Sequence, residues 1–154
     1  MASTVTRRNP NRLAATRRNA LGLGKYRVKV GWSVELGASE ETVTIAAINV
    51  LGAPSANIKE RDALTPVLVA NADAIRAANR DAMQAANRDE DVEYPLELLA
   101  AKLEADLKQS VESFSTPGNA PSTIEKKKFD DPLVGPESDG GRLVAEAAAA
   151  VTKR

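Results

Sequence analysis

Cysteine and histidine are both absent from this chain of 154 residues. Without cysteine, neither a disulfide nor a thiolate metal site can form. Without histidine, the most common general acid–base side chain and the usual imidazole ligand of zinc are missing as well. We therefore expect no cofactor and no metal ion, and an enzyme is the weakest functional class.

Aromatic side chains are also scarce, at 3% of the residues. Because large side chains contribute most of the free energy of burial, an alanine-rich core without aromatics gains less per residue than an ordinary core. The length suits one domain. We therefore expect neighbouring subunits to add to the stability of this domain.

No apolar run approaches the roughly 20 residues that span a bilayer. The first 19 residues are basic, but they lack the apolar stretch of a signal peptide. The sequence therefore predicts a soluble protein with no membrane partner.

Acidic residues are missing from one part of the chain. Eight lysines and arginines precede Glu35 without a single Asp or Glu, whereas the remainder carries 13 basic and 21 acidic residues, a net charge of −8. This basic segment could contact nucleic acid. It could instead lie on the acidic surface of an adjacent subunit, which we favour because a head-to-tail ring brings the two together.

Periodicity predicts the elements of the first half of the chain. Residues 1–24 could hold one short helix, and residues 25–34 alternate between apolar and polar side chains, as a strand facing a core does. Ser39 is a good N-cap, and the helix after it is predicted to end at Gly52. Its apolar residues fall on one helical stripe. The members of that stripe are Val43, Ala46, Ala47, Val50 and Leu51.

In the second half, one continuous helix is predicted from about Thr65 to about Arg88. Within it a five-residue motif at Ala77–Asp81 recurs eight positions later at Ala85–Asp89. This repeat indicates either a solvated stripe or a subunit contact. A core helix should follow from Leu96 to Phe114, because its leucines recur at spacings of three and four. We expect a long irregular loop over 115–141. The terminal RLVAEAAAAVTKR segment is predicted to form a short helix.

Motifs for chemistry are incomplete. Gly22-Leu23-Gly24-Lys25 lacks the spacing and the following Ser or Thr of a phosphate loop. The acidic cluster at 89–93 lacks the glycine turn and spaced ligands of a calcium loop, so a solvated helix break is the better interpretation. The serines at 110, 113 and 115 have no histidine to activate them. The lysines 126–128 could bind phosphate, although a solvated loop face is the more ordinary interpretation.

One block of the sequence resembles the tail-completion, or minor tail, proteins of long-tailed bacteriophages. In that family a helix ending in an aliphatic residue and Phe precedes an Asn-Ala-Pro-Ser-Thr-Ile block and a Phe-x-x-Pro-Leu-Val segment, and Leu107–Leu143 is similar. The matching residues are Val111, Phe114, Pro117, Asn119, Ala120, Pro121, Ser122, Thr123, Ile124, Lys127, Phe129, Pro132, Leu133, Val134, Arg142 and Leu143.

Outside this block the likeness is looser. Lys29-Val30-Gly31 is similar to the family's first strand, and Ile45–Pro54 to its next helix and turn. Residues 57–67 have lost most of the prolines that the family carries there. The family's last element is often a strand, whereas Ala145–Ala150 is predicted here as a helix.

The resemblance implies an α+β fold, with a small antiparallel sheet packed against two or three helices. We expect a basic N-terminal arm over 1–24 and a core over 25–114. Residues 115–154 would be an extended loop and C-terminal element completing the same domain.

The resemblance also implies a structural virion protein that forms a homo-oligomeric ring, sixfold or twelvefold, at the neck or upper tail of a phage assembled in the host cytoplasm. Its partners would be neck, connector and tail-tube proteins, with genomic DNA passing through the lumen. We expect the arm and the loop to supply the contacts. The candidate contact residues are Arg7, Arg8, Arg12, Arg17, Arg18, Asn119, Pro121, Ser122, Thr123, Ile124, Phe129, Pro132, Leu133 and Arg142.

Two alternatives stay open at this point. A nucleic-acid-binding module acting through the basic arm would bind DNA with a strong dependence on salt. A head-decoration or scaffold-like protein is compatible with the alanine-rich helices, although the block around Pro121 favours the neck.

Overall fold

The computed structural model describes residues 10–119, 121, 124, 125, 133 and 141–153. Within this part of the chain, six α-helices accompany a two-stranded sheet. The helices are α1 (Pro10–Leu23), α2 (Glu40–Leu51), α3 (Leu64–Ala70), α4 (Ala72–Asn87), α5 (Glu93–Glu112) and α6 (Gly141–Ala145). The strands are β1 (Tyr26–Gly31) and β2 (Ala148–Lys153). The expected α+β architecture is therefore confirmed.

The sheet joins two segments that are far apart in the sequence. β1 and β2 run antiparallel, with Tyr26 opposite Lys153 and Gly31 opposite Ala148. Helix α5 packs against both strands, α4 packs on α5, and α1 packs on α4. Because a two-stranded sheet alone is marginal in water, α5 is needed to cover it.

Helix α5 runs through both apolar clusters, which confirms the core helix that its leucines predict. Near its C-terminal end, Leu107 and Val111 are fully buried with Leu143 and Ala147, and Trp32 donates its indole N–H to the carbonyl oxygen of Leu143 at 2.7 Å. Near its N-terminal end, Leu99 and Leu103 pack with Val67 and Ala78. The same helix therefore supports both halves of the core.

The boundaries of α2 follow from its capping residues, as predicted. The Thr42 amide donates to Ser39 Oγ at 3.2 Å, and Glu40 and Glu41 occupy the first turn, where the helix dipole favours negative charge. The helix ends at Gly52, whose φ is 70°. A Cβ there would lie 3.0 Å from the Glu60 nitrogen, so only glycine fits.

The predicted helix from Thr65 to Arg88 is wrong in one respect, because the chain divides at Asn71 into α3 and α4. The Asn71 side chain donates to the Val67 carbonyl oxygen at 2.9 Å and to Asp106 Oδ2 on α5 at 2.7 Å. An Asn amide that bonds locally and to a neighbouring helix competes with regular helix geometry. The break is therefore a tertiary contact that the periodicity does not reveal.

Helix α5 begins at Glu93, earlier than the apolar periodicity indicates. Asp91 Oδ1 accepts from the Glu93 amide at 2.9 Å. Pro95 lies in the first turn, where the missing N–H would have no partner within the helix.

The prediction for the C-terminal element is also wrong. The alanine run predicts a helix over Ala145–Ala150, but α6 ends at Ala145 and β2 begins at Ala148. Alanine's helix propensity is worth only fractions of a kcal/mol per residue, so a free strand edge at β1 outweighs it. Helix α5 also holds β2, because the Ala149 amide donates to Glu104 Oε2 at 3.1 Å.

Replacing Leu107 with alanine should destabilise the protein strongly. The Leu107 side chain is fully buried, and removing it leaves a cavity, so we expect a loss of about 2–5 kcal/mol in the free energy of unfolding. Urea denaturation followed by circular dichroism measures it. Leu98→Ala is the control, since Leu98 lies on the same helix but is 55% exposed. Equal losses in the two variants would show that this cluster is not the core.

Glu104 should make the free energy of unfolding depend on pH in the acid range. Its hydrogen bond with Lys108, and then the bond from the Ala149 amide, hold the pKa of Glu104 below its ordinary value of 4.5. Because the folded pKa is the lower one, this contribution is present above pH 4.5 and is lost as the pH falls through the folded pKa. We expect Glu104→Gln to be less stable at neutral pH and to lose less stability in acid.

Urea denaturation at neutral pH and at about pH 3 measures this difference. Glu97→Gln is the control, because Glu97 is exposed on α5 and makes no ion pair among the residues described. An acid response in Glu104→Gln that matches the parent would contradict the assignment.

Candidate subunit-contact site

The described part of the basic N-terminal segment is a helix that lies on the body of its own subunit. The Asn19 side-chain amide donates to the Ala86 carbonyl oxygen at 2.8 Å and holds α1 against α4. Arg18 is exposed on α1. Arg12 and Arg17 also belong to α1, but their side chains lie outside the described part. Arg7 and Arg8 lie outside the described residues altogether.

The start of the long loop is held by an arginine that the sequence does not single out. Arg61 Nε donates to the Pro117 carbonyl oxygen at 3.1 Å, and Arg61 Nη2 donates to the Gly118 carbonyl oxygen at 3.2 Å and to Asn119 Oδ1 at 3.4 Å. Arg61 Nη1 donates to Asn49 Oδ1 of α2 at 3.4 Å, and the Arg61 amide donates to the Asn49 carbonyl oxygen at 2.6 Å. Burial lowers the pKa of Arg61. These acceptors offset its desolvation.

Asn119 is therefore the one predicted contact residue whose side chain is seen to fix the loop. Its position follows from the forked guanidinium of Arg61, which can meet several acceptors at once. The surrounding sequence gives no sign of this arginine, because nothing in a loop of mixed composition indicates which cation will turn inward.

The other predicted residues of the loop are dispersed. Pro121 is exposed and Ile124 is half-buried. Leu133 is buried in the core cluster of Leu107 and Val111, so it supports the fold of its own subunit. The remaining predicted residues of the loop lie outside the described part of the chain. They are Ser122, Thr123, Phe129 and Pro132.

Arg142 forms an ion pair within the subunit. Its Nη1 lies 2.6 Å from Glu41 Oε2, and both side chains are substantially exposed. Nearby, Glu146 accepts from the Ser39 amide at 2.6 Å, and that bond is the largest cause of the lowered pKa of Glu146. Exposed ion pairs contribute little to stability, so this arrangement mainly orients α6 against the start of α2.

Helix α2 exposes two large apolar side chains to solvent. The structure buries Thr42 and Ala46, whereas Leu51 is 75% exposed and Ile48 is 37% exposed. Ala47, one turn before Leu51, is exposed as well. Apolar periodicity alone does not distinguish a stripe that faces the core of its own chain from one that faces another chain. The exposed part of α2 is therefore a candidate contact surface.

Among the described residues, no group of three or more Asp, Glu, Cys or His side chains could hold a metal ion. The Ser110 hydroxyl donates to the Ala63 carbonyl oxygen and the Ser113 hydroxyl to the Gln109 carbonyl oxygen, both at 2.8 Å. These hydroxyls therefore brace backbone segments. In the described part of the chain, no helix is long and apolar enough to cross a bilayer.

Comparison with known proteins gives no relative. No protein-family model matches the chain, and no curated protein or solved structure is significantly similar to it.

Replacing Arg61 with alanine should loosen the start of the loop. Its hydrogen bonds to the carbonyl oxygens of Pro117 and Gly118 are charge-assisted, so we expect about 1.5–3 kcal/mol less stability and faster amide hydrogen exchange at Gly118 and Asn119. Hydrogen–deuterium exchange with mass spectrometry measures the second effect. Arg76→Ala is the control, because the Arg76 side chain is 74% exposed and, in the part of the chain that the structure describes, forms an ion pair with Asp73 alone. Unchanged exchange in Arg61→Ala would rule out the anchoring role.

Proposed function

We propose that this chain is a structural ring subunit of a tailed bacteriophage, a tail-completion or head–tail connector protein of the neck. The exposed apolar face of α2 is the observation that carries the proposal. A monomer gains nothing from placing Ile48 and Leu51 in water, whereas a neighbouring subunit would bury them. Assembly would then proceed by complementarity of shape and charge between copies.

The last strand adds support. The helix expected over Ala145–Ala150 set this chain apart from the family that it resembles, whose last element is often a strand. With β2 at Ala148–Lys153, that difference disappears. An antiparallel sheet with helices on one face is also the arrangement that the resemblance implies.

The charge distribution agrees with contacts between copies. The eight cations before Glu35 and the net negative remainder would meet in a head-to-tail ring. A ring surrounding DNA would need few base contacts, and no recognition helix is evident in the sequence.

The alternative is a nucleic-acid-binding module acting through the basic N-terminal segment. The exposed position of Arg18, Lys25 and Arg27 supports it. This alternative predicts DNA binding by a monomer, with an affinity that falls steeply as salt increases.

The solution mass of the purified chain tests the proposal. We expect light scattering to give a discrete oligomer and negative-stain microscopy to give closed rings. Leu51→Glu should weaken the association about tenfold or more, because it places a charge in an apolar contact. Val69→Glu is the control, since Val69 is 69% exposed on α3, away from the α2 face.

Two results would contradict the proposal. One is a chain that stays monomeric at high concentration and also fails to form rings on isolated phage tails. The other is a monomer that binds duplex DNA with a steep salt dependence, which would favour the nucleic-acid alternative.

A further inference from the structure

A cleft opens between α1, β1 and the packed pair α4 and α5. Its inner part is a cavity of about 230 Å³ with mainly apolar walls. The walls include Leu23, Val28, Ile75, Leu96 and Leu99, with the Asn79 amide as a polar group. The volume is below the roughly 300–1,000 Å³ of sites for drug-sized ligands and cofactors. It suits a single large apolar side chain.

The mouth of the cleft is cationic. An adjoining cavity of about 250 Å³ shares Leu23 and Tyr26 with the inner one, and Arg18 and Lys25 line it. Both cationic side chains are exposed. Among the residues described, neither makes an ion pair or a side-chain hydrogen bond. The cleft thus combines an apolar pocket with two positive charges at its entrance that have no partner in the described ranges of the chain.

One segment of the chain has the matching chemistry. Phe129 is followed directly by Asp130 and Asp131, so an aromatic side chain is joined to two carboxylates. Phe129 fits the inner cavity in kind and size, while the carboxylates would face Arg18 and Lys25. An aromatic anchor in a pocket, bordered by complementary charges, is the usual composition of a strong contact between proteins.

The segment is poorly placed to fill the cleft of its own subunit. Leu133 is buried beside Leu107 and Val111, whereas the cleft lies at Leu96 and Leu99. At 1.5 Å per residue the centres of these two parts of α5 are about 17 Å apart. Four residues from Leu133 back to Phe129 span at most about 14 Å. Even when fully extended, the backbone from Leu133 to Phe129 is therefore shorter than this separation, which favours the cleft of a second copy.

We infer that Phe129–Asp131 of one copy docks into the α1–α4–α5 cleft of a second copy. The partner is another copy of this chain, so the inference rests on the proposed ring function. The contact joins two different surfaces, so it is head-to-tail and can close into a ring. In this arrangement Arg18 and Lys25 of the basic N-terminal segment receive the loop and need not contact DNA.

A charge exchange between two full-length variants tests the inference. Arg18→Glu/Lys25→Glu reverses the cleft, and Asp130→Lys/Asp131→Lys reverses the loop. Each variant alone should associate roughly three- to tenfold more weakly than the parent, because like charges then meet. An equimolar mixture should recover the parent's association, since every cleft then finds a loop of opposite charge. Light scattering and sedimentation velocity measure both. Arg27→Glu is the control, because Arg27 is exposed but does not line the cleft.

A peptide of residues 128–132 probes the cleft independently of ring formation. The receptor is the Asp130→Lys/Asp131→Lys chain, whose cleft is unchanged. We expect NMR shifts confined to Leu23, Tyr26 and their neighbours, and a peptide with Phe129→Ala should bind about tenfold more weakly or not at all.

The outcomes separate the inference from the proposed function. Parental association in either reversed variant would overturn the inference and leave the ring standing. A parent chain that never associates would contradict the proposed ring. The peptide experiment would then decide whether the cleft binds the Phe129 segment. Binding that depends on Phe129 keeps the cleft as its site, whereas no binding overturns the inference as well.

Discussion

The packing of α5 against the β1–β2 pair is the contact on which the rest of the molecule depends. Two strands have too few hydrogen bonds and too little apolar area to persist alone. Leu107 and Val111 complete this small sheet from one side, and the Glu104 carboxylate holds the Ala149 amide of β2. The helices α1, α3 and α4 are placed by their contacts with this unit or with each other.

The composition explains why so much apolar surface stays outside this unit. The core is built largely of alanine, leucine and valine, with Trp32 as its indole anchor. Small side chains let helices and strands approach closely, but each contributes little free energy on burial. Meanwhile Ile48, Leu51 and Val69 remain in solvent. A partner that covered these side chains would add stability to a chain with so thin a core, which agrees with the proposed ring.

Sequence reasoning predicted the elements whose causes are local. The cap at Ser39, the stop at Gly52 and the leucine spacing of α5 all lie within a few residues of the structure that they determine. The α+β class followed from the resemblance and is confirmed.

The predictions that were wrong, or that could not be made, depend on contacts between residues far apart in the sequence. Asn71 breaks a helix because it bonds to Asp106, and the alanine run after Ala147 extends because β1 offers an edge. Similarly, Arg61 holds the loop through residues more than fifty positions away. At the candidate site, sequence reasoning identified Asn119 and the basic helix but could not indicate the cleft, whose walls come from four separate elements.

The pairing of β1 with β2 also constrains how the protein can form. Thr152 and Arg27 meet although 125 positions separate them in the chain. During translation β1 emerges before β2, and it stays without its partner strand until the whole intervening chain has been made. Loop closure of this length is slow and leaves an edge strand open in the meantime. The β1–β2 sheet is therefore a late product of synthesis, and until it forms the open edge of β1 is exposed to pairing with other chains.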